Sequence, residues 1–168
     1  VTLTTVNGCT TVSSPVPVTV YPLPTATVTA GGATSFCQGG SVSLTSSAGT
    51  SYLWSNTATT QSITVNASGS YSVIVTNGNN CSSTSTATVV TVNPLPTPTI
   101  SASGATTFCQ GGSVVLTASA GNSYLWSNAA TTQSITVSNS GSSDVLVTDA
   151  NGCSATTSPT SVFVNPLP

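Results

Sequence analysis

The strongest constraint on this chain is that it repeats itself. Cys37 and Cys109, Trp54 and Trp126, Cys81 and Cys153, and Pro94 and Pro166 all stand 72 positions apart. Residues 25–96 and 97–168 are two copies of one unit, identical at about two thirds of their positions without a gap. The runs FCQGGSV, SYLWSN and TTQSITV are common to both. This period exceeds the ~20–50 residues of solenoid units, so each copy is expected to fold as a small domain around its own core. Residues 1–24 fit the same frame: Cys9 lies 72 positions before Cys81, and Val20-Tyr21-Pro22-Leu23-Pro24 aligns with Val92-Asn93-Pro94-Leu95-Pro96. They read as the C-terminal part, the last two strands, of a preceding repeat. A lone hairpin is marginal in water, so the segment is either an excerpt from a longer array or is completed by a neighbouring molecule. The excerpt is the preferred reading, because the final repeat is already complete and leaves no acceptor for donated strands.

Within residues 25–96 apolar and polar side chains alternate, the pattern of a half-buried strand. Strands are expected near Thr25–Ala30, Ser41–Ser46, Tyr52–Ser55, Ser62–Val65, Tyr71–Thr76 and Thr86–Val92. Val42 and Leu44 share one face, as do Tyr71, Val73 and Val75, and Val90 and Val92, and these faces should line a core. Between the strands lie Gly31-Gly32, Gly39-Gly40, Gly49, Gly69 and Asn77-Gly78-Asn79-Asn80, residues that tolerate the positive φ of tight turns. Short strands with such turn signals, and no sustained helical period, predict an all-β fold, a sandwich or a barrel in each copy. The single tryptophan of each copy, Trp54 or Trp126, is placed at the centre of its sandwich, although an exposed ring stacking on sugar is the functional alternative. Asn93-Pro94-Leu95-Pro96 and Asn165-Pro166-Leu167-Pro168 close each copy with a Pro-x-Pro spacing that holds the backbone extended, which predicts a semi-rigid link.

Charge narrows the function. The chain has no Lys, Arg or His, and its only acids are Asp144 and Asp149, for a net charge of −2. Acid–base catalysis ordinarily draws on a His, a Lys or paired carboxylates, so the chain is not expected to be an enzyme or to carry a cofactor. Nucleic acid is not an expected partner either, since phosphates are neutralised by Lys and Arg. Isopeptide crosslinks would need a Lys. No apolar run approaches the ~20 residues that cross a bilayer, and no secretion signal opens the chain, which reads as a mature or internal segment without membrane insertion. Abundant Ser and Thr take over the solvation that ions give most proteins.

Four motifs together carry a resemblance. Phe36-Cys37-Gln38-Gly39-Gly40-Ser41-Val42, then Tyr52-Leu53-Trp54-Ser55-Asn56, then Gly69-Ser70-Tyr71-Ser72-Val73, then Asn77 to Cys81 resemble the Ig-like and PKD-like tandem repeats of giant secreted Bacteroidota surface proteins. The second copy repeats the pattern from Phe108 to Cys153, and the resemblance spans the whole chain. It implies an immunoglobulin-like sandwich, an extracellular or cell-surface location, and a part in adhesion, gliding or matrix. One departure is Ser143 in place of Tyr71, which removes a tyrosine contact from the second copy.

Five cysteines in a chain of secreted character imply disulfides with one thiol left over. The simplest pairing is Cys37–Cys81 and Cys109–Cys153, leaving Cys9 to a cysteine outside this segment. Closing a loop of about 45 residues would stabilise each unit by ~4 kcal/mol in the chain-entropy model. In an immunoglobulin topology, however, those positions lie at opposite poles, ~20 Å apart for six-residue strands, farther than a disulfide reaches. The alternative is an interdomain bond, Cys37–Cys153. Metal binding lacks both a C-x-x-C spacing and any His, and Asp144 and Asp149, replaced by Ser72 and Asn77 in the first copy, make a poor calcium site. Asn66-Ala67-Ser68 and Asn80-Cys81-Ser82 match the N-glycosylation pattern, making Asn66 and Asn80 candidate acceptors; O-linked sugars on Ser/Thr faces are a further expectation. The ladders Thr25–Thr29 and Ser85–Thr88 resemble ice-binding surfaces but read first as solvated strands. Two functions stay open: a structural repeat acting as adhesin stalk, spacer or filament subunit, with copies of itself as partners, or a module whose loops bind glycan or another cell-surface ligand. Because TTQSITV and SYLWSN do not vary between copies, the structural reading is preferred.

Overall fold

The computed structural model describes all residues from Val1 to Pro168, and every regular element in it is a strand. Residues 1–24 form one hairpin, β1 (Thr2–Thr4) with β2 (Thr10–Val12), followed by extended chain. The first full copy contains β3 (Val28–Ala30), β4 (Ser35–Cys37), β5 (Val42–Ser46), β6 (Ser51–Trp54), β7 (Ser62–Val65), β8 (Gly69–Tyr71), β9 (Val73–Thr76), β10 (Ser82–Thr84) and β11 (Thr88–Asn93). The second repeats that order as β12 (Ile100–Ala102), β13 (Thr107–Cys109), β14 (Val114–Ala118), β15 (Ser123–Trp126), β16 (Ser134–Val137), β17 (Gly141–Ser143), β18 (Val145–Thr148), β19 (Ser154–Thr156) and β20 (Thr160–Asn165).

In each copy one antiparallel layer has the order β3-β5-β7 or β12-β14-β16. The opposing layer joins β6 to β9 and β9 to β10, and then β8 to β11 and β11 in parallel to β4. The first chain segment thus switches sheets between β3 and β4, the arrangement of an immunoglobulin-like sandwich. Strands β8–β9 and β10–β11 are two long strands, each interrupted once. Ile74 pairs with Thr84 and Tyr71 with Thr88, so β10–β11 carries one residue more between those pairs than β8–β9 does, a β-bulge. The bulge turns Ser85 inward, where it is buried and its Oγ accepts a bond from Val73 N at 3.1 Å; Thr157 does the same for Val145 N at 3.2 Å. Segment 1–24 keeps this contact through Val1 N and Ser13 Oγ at 2.9 Å.

Alternation places the core as the sequence pattern expects. Val42, Leu44, Ile63 and Val65 from one layer meet Trp54, Val73, Val75 and Val90 from the other, with Leu44, Val73 and Val75 at 0% exposure. Val114, Leu116, Ala118, Ile135, Trp126, Val145, Val147 and Val162 form the corresponding cluster. Both tryptophans are 2% exposed, and each satisfies its indole by donating from Nε1 to a carbonyl 2.8 Å away, Thr60 O or Thr132 O. That closes the sugar-stacking alternative, because neither ring face is open. Tyr71 and Val92, expected on core faces, are only half-buried. Segment 1–24 has no such enclosure: Val1, Leu3 and Val18, which align with the buried Val73, Val75 and Val90, are 87%, 66% and 85% exposed.

Candidate functional site at the disulfide-bonded junction

The copies meet across Pro94–Thr99, between the end of β11 and the start of β12. No hydrogen bond joins residues 25–96 to residues 97–168, but a disulfide does: Cys37 and Cys153, 116 positions apart with Cα atoms 5.5 Å apart. The expected pairs Cys37–Cys81 and Cys109–Cys153 are therefore not formed, and Cys9, Cys81 and Cys109 are free thiols.

Topology explains the correction. Cys37 stands opposite Asn93, the last residue of β11, so it lies at the pole from which the chain leaves the first copy. The turn from Asn77 to Cys81 joins β9 to β10 and lies at the other pole, where Asn77 Nδ2 donates to the carbonyl of Pro22 at 3.0 Å in the segment that enters this copy. Cys37 and Cys81 are thus separated by the run from Ser82 to Asn93, roughly 30 Å of strand, against the ~4.4–6.8 Å between Cα atoms that a disulfide tolerates. Cys153 occupies the entry pole of the second copy, beside the exit pole of the first.

Each half of the junction is held by its own turn. Gly39, at φ 93°, reverses the chain after Cys37, with Gly40 N donating to Cys37 O at 3.0 Å and Gln38 N to Asn93 O at 2.8 Å. On the other side the Asp149 carboxylate accepts from Asn151 N and Cys153 N, both at 2.8 Å, which fixes the sulfur's approach. Cys153 is fully buried.

The remaining candidates are dispersed. Asn66 and Asn80 are exposed, and Asn80 sits in a tight turn at φ 59°. Asp144 and Asp149 are half-buried, and no group of three or more metal-ligating side chains gathers anywhere. Loss of the tyrosine at Ser143 opens the surface: Tyr71 packs on Gly69 and donates to Ala67 O at 3.0 Å, whereas a Cβ on Gly141 would meet nothing. The three depressions in the surface, of 250, 280 and 270 Å³, each contain one apolar lining residue. No helix is long and apolar enough to cross a membrane.

No family model matches the chain, and no curated protein matches it. Among solved structures, it is similar to the three N-terminal domains of the highly immunogenic outer capsid protein of bacteriophage RB49, at 20% identity and a TM-score of 0.44, over 83% of this chain and 59% of that one. A structure concerned with host cell surface retention of a 1.5-MDa bacterial ice-binding adhesin gives 19% identity and 0.45, over 87% and 66%. Fibronectin(III)-like modules of Clostridium thermocellum CbhA give 14% and 0.38, over 83% and 94%. The chain thus spans less than two thirds of the phage and adhesin structures.

Proposed function

We propose that the chain is a structural tandem-repeat module of an extracellular surface protein, acting as a stiff adhesin stalk or spacer or as the subunit of a filament. The observation that carries this reading is the Cys37–Cys153 bond, which spans the junction and spends the covalent link on holding one copy against the next. Two sandwiches joined by Pro94-Leu95-Pro96 already favour an extended course, and a second covalent tie restricts rotation about that segment. A lasting disulfide also belongs to an oxidising compartment, which supports export. The absence of Lys, Arg and His, together with depressions smaller and more polar than ordinary ligand pockets, supports a role without catalysis, cofactor or nucleic acid. Copies of the same chain are the partners this surface favours, because a net charge of −2 leaves little like-charge repulsion between rods.

Small-angle scattering from the native protein and from Cys37→Ser tests the reading. The native chain is expected to scatter as an elongated body of fixed length, and the variant as a broader distribution of interdomain distances with both sandwiches intact. Equal distributions in the two proteins would refute the stapled rod.

The second reading, a glycan-binding module, has one observation in its favour. Residues Asn128, Thr136, Ser138, Asn139, Ser140 and Ser142 line a hydroxyl- and amide-rich hollow beside Ser143, where the first copy carries a tyrosine. It lacks the aromatic platform on which sugars commonly stack, so the structural reading stands first.

A further inference from the structure

The two copies share one backbone around positions 71 and 143 and differ in the side chain that stands on it. Gly69 pairs with Val90 and Tyr71 with Thr88; Gly141 pairs with Val162 and Ser143 with Thr160, in the same register. The loop before each of these strands is pinned alike, with Val92 N donating to Ser68 Oγ and Val164 N to Ser140 Oγ, both at 2.8 Å. In the first copy the Tyr71 ring lies over Gly69, its Cε2 3.3 Å from where a Cβ would stand, and its hydroxyl donates to Ala67 O at 3.0 Å. In the second copy that space is the hollow of 250 Å³, whose lining includes Val137, Asn139, Gly141 and Ser143, the counterparts of Val65, Ala67, Gly69 and Tyr71. Two groups lose their cover there. Val137 is half-buried where Val65 is 4% exposed, and the Asn139 carbonyl, unlike that of Ala67, accepts no hydrogen bond from the chain.

We propose that this hollow is a binding site for a phenol ring, which takes the place of the absent tyrosine. The ring rests on Gly141 and covers Val137, and its hydroxyl donates to the Asn139 carbonyl, as Tyr71 lies on Gly69 and donates to Ala67 O in the first copy. The site goes beyond the structural reading and does not depend on the rod. Nor does it depend on what lies beyond the second copy: residues 66–70 hold the same place in the first copy, which has another copy after it, and all of them are exposed.

Size, shape and chemistry agree. A cavity of about 150 Å³ already holds benzene, so 250 Å³ leaves room for a ring and its substituent. A ligand that is itself the aromatic ring needs no aromatic platform in the protein, which is what a sugar would lack here. The backbone is the one on which the first copy seats its own tyrosine, so binding orders little that is not ordered already. Because the hollow is open to water and offers one hydrogen bond, a small phenol is expected to bind with a Kd on the order of millimolar. The ring can come from a free phenolic compound or from a tyrosyl side chain of another polypeptide; the contacts are the same.

The test is a titration of the isotope-labelled full chain with p-cresol, the isolated tyrosine side chain, followed by NMR. Signals of Val137, Asn139 and Gly141 are expected to shift and to saturate in the millimolar range, while Val65, Ala67 and Gly69, beside the resident Tyr71, hold still. Toluene, which has the ring without the hydroxyl, should bind about fivefold more weakly. Ser143→Tyr should fill the hollow and abolish the shifts, and Tyr71→Ser should open a second site and bring them to the first copy. If the first copy unfolds on losing its tyrosine, Ser143→Tyr decides alone. N-acetyltyrosinamide separates the sources: binding beside p-cresol assigns the site to a tyrosyl side chain, and binding of p-cresol alone to a free phenol. Shifts that persist in Ser143→Tyr, that fall equally on both copies, or that toluene produces as strongly would overturn the proposal. So would no shift at tens of millimolar p-cresol, or shifts with methyl glucoside in its place, the last of which would favour the glycan reading.

Discussion

Leu44→Ala tests whether each copy keeps its own core. Leu44 is fully buried in one core cluster with Val42, Trp54, Ile63, Val73 and Val75, and that cluster contains no residue of the second copy. Truncating such a leucine costs about 3 kcal/mol through lost transfer energy and the cavity left behind. A unit of this size has roughly 4–10 kcal/mol of stability, so the first copy is left marginal. With a urea m-value of about 1 kcal/mol/M for so small a unit, its midpoint should fall by about 3 M. The two tryptophans allow this to be read copy by copy. Trp126→Phe leaves Trp54 as the sole reporter of the first copy, and Trp54→Phe leaves Trp126 to report the second; both rings pass from 2% exposure to water on unfolding, shifting emission to the red. Adding Leu44→Ala should move the Trp54 transition by the full amount and the Trp126 transition by less than about 0.5 kcal/mol, the usual limit for sites without shared partners. Transitions that move together would show one cooperative unit and sink the argument from separate cores; an unmoved Trp54 transition would show that Leu44 is not a core residue.

Two further substitutions probe the turns. A Cβ at Gly49 would overlap Cγ1 of Val75 and stand 3.0 Å from the Thr76 carbonyl oxygen, so Gly49→Ala is expected to destabilise the first copy by about 1–3 kcal/mol, while Gly32→Ala, which meets nothing within 4 Å, should leave the midpoint of chemical denaturation unchanged. Thr57 holds φ at 70°, as Ala129 does at 67° in the other copy; because a β-branched residue is strained there by about 1–2 kcal/mol, Thr57→Gly should raise the melting temperature of the first copy, and a lower value would show that the turn needs the threonine side chain.

Much of the sandwich was legible because period-2 patterning states which face is buried. Val42 and Leu44, Val73 and Val75, and Val90 fall where alternation puts them, since a one-residue slip would turn each set to solvent. Two strands were not legible. Ser35–Cys37 is three residues long with glycines close behind, and Ser82–Thr84 has no apolar residue at all. Both owe their strand geometry to a partner, β11 and β9 respectively, and not to their own composition. The bulge was hidden for a related reason: Ser85 and Thr157 look like surface hydroxyls until an extra residue turns them inward to serve Val73 N and Val145 N.

The missed strand β4 is also why the cysteine pairing could not be settled by counting. Each copy contributes one cysteine early and one late, and that tally suits a bond within a copy as well as a bond between copies. What decides is polarity. Once Ser35-Phe36-Cys37 is laid parallel to the end of β11, the early cysteine must sit where the chain leaves, and the hairpin turn between β9 and β10 must carry the late cysteine to where the chain enters. A bond within one copy then has to run the length of the sandwich, and a bond between neighbours has to cross only a short proline segment. The same polarity holds for the other cysteines of the two copies: Cys109, opposite Asn165, sits at the exit pole of the second, and Cys81, in the turn from Asn77, at the entry pole of the first.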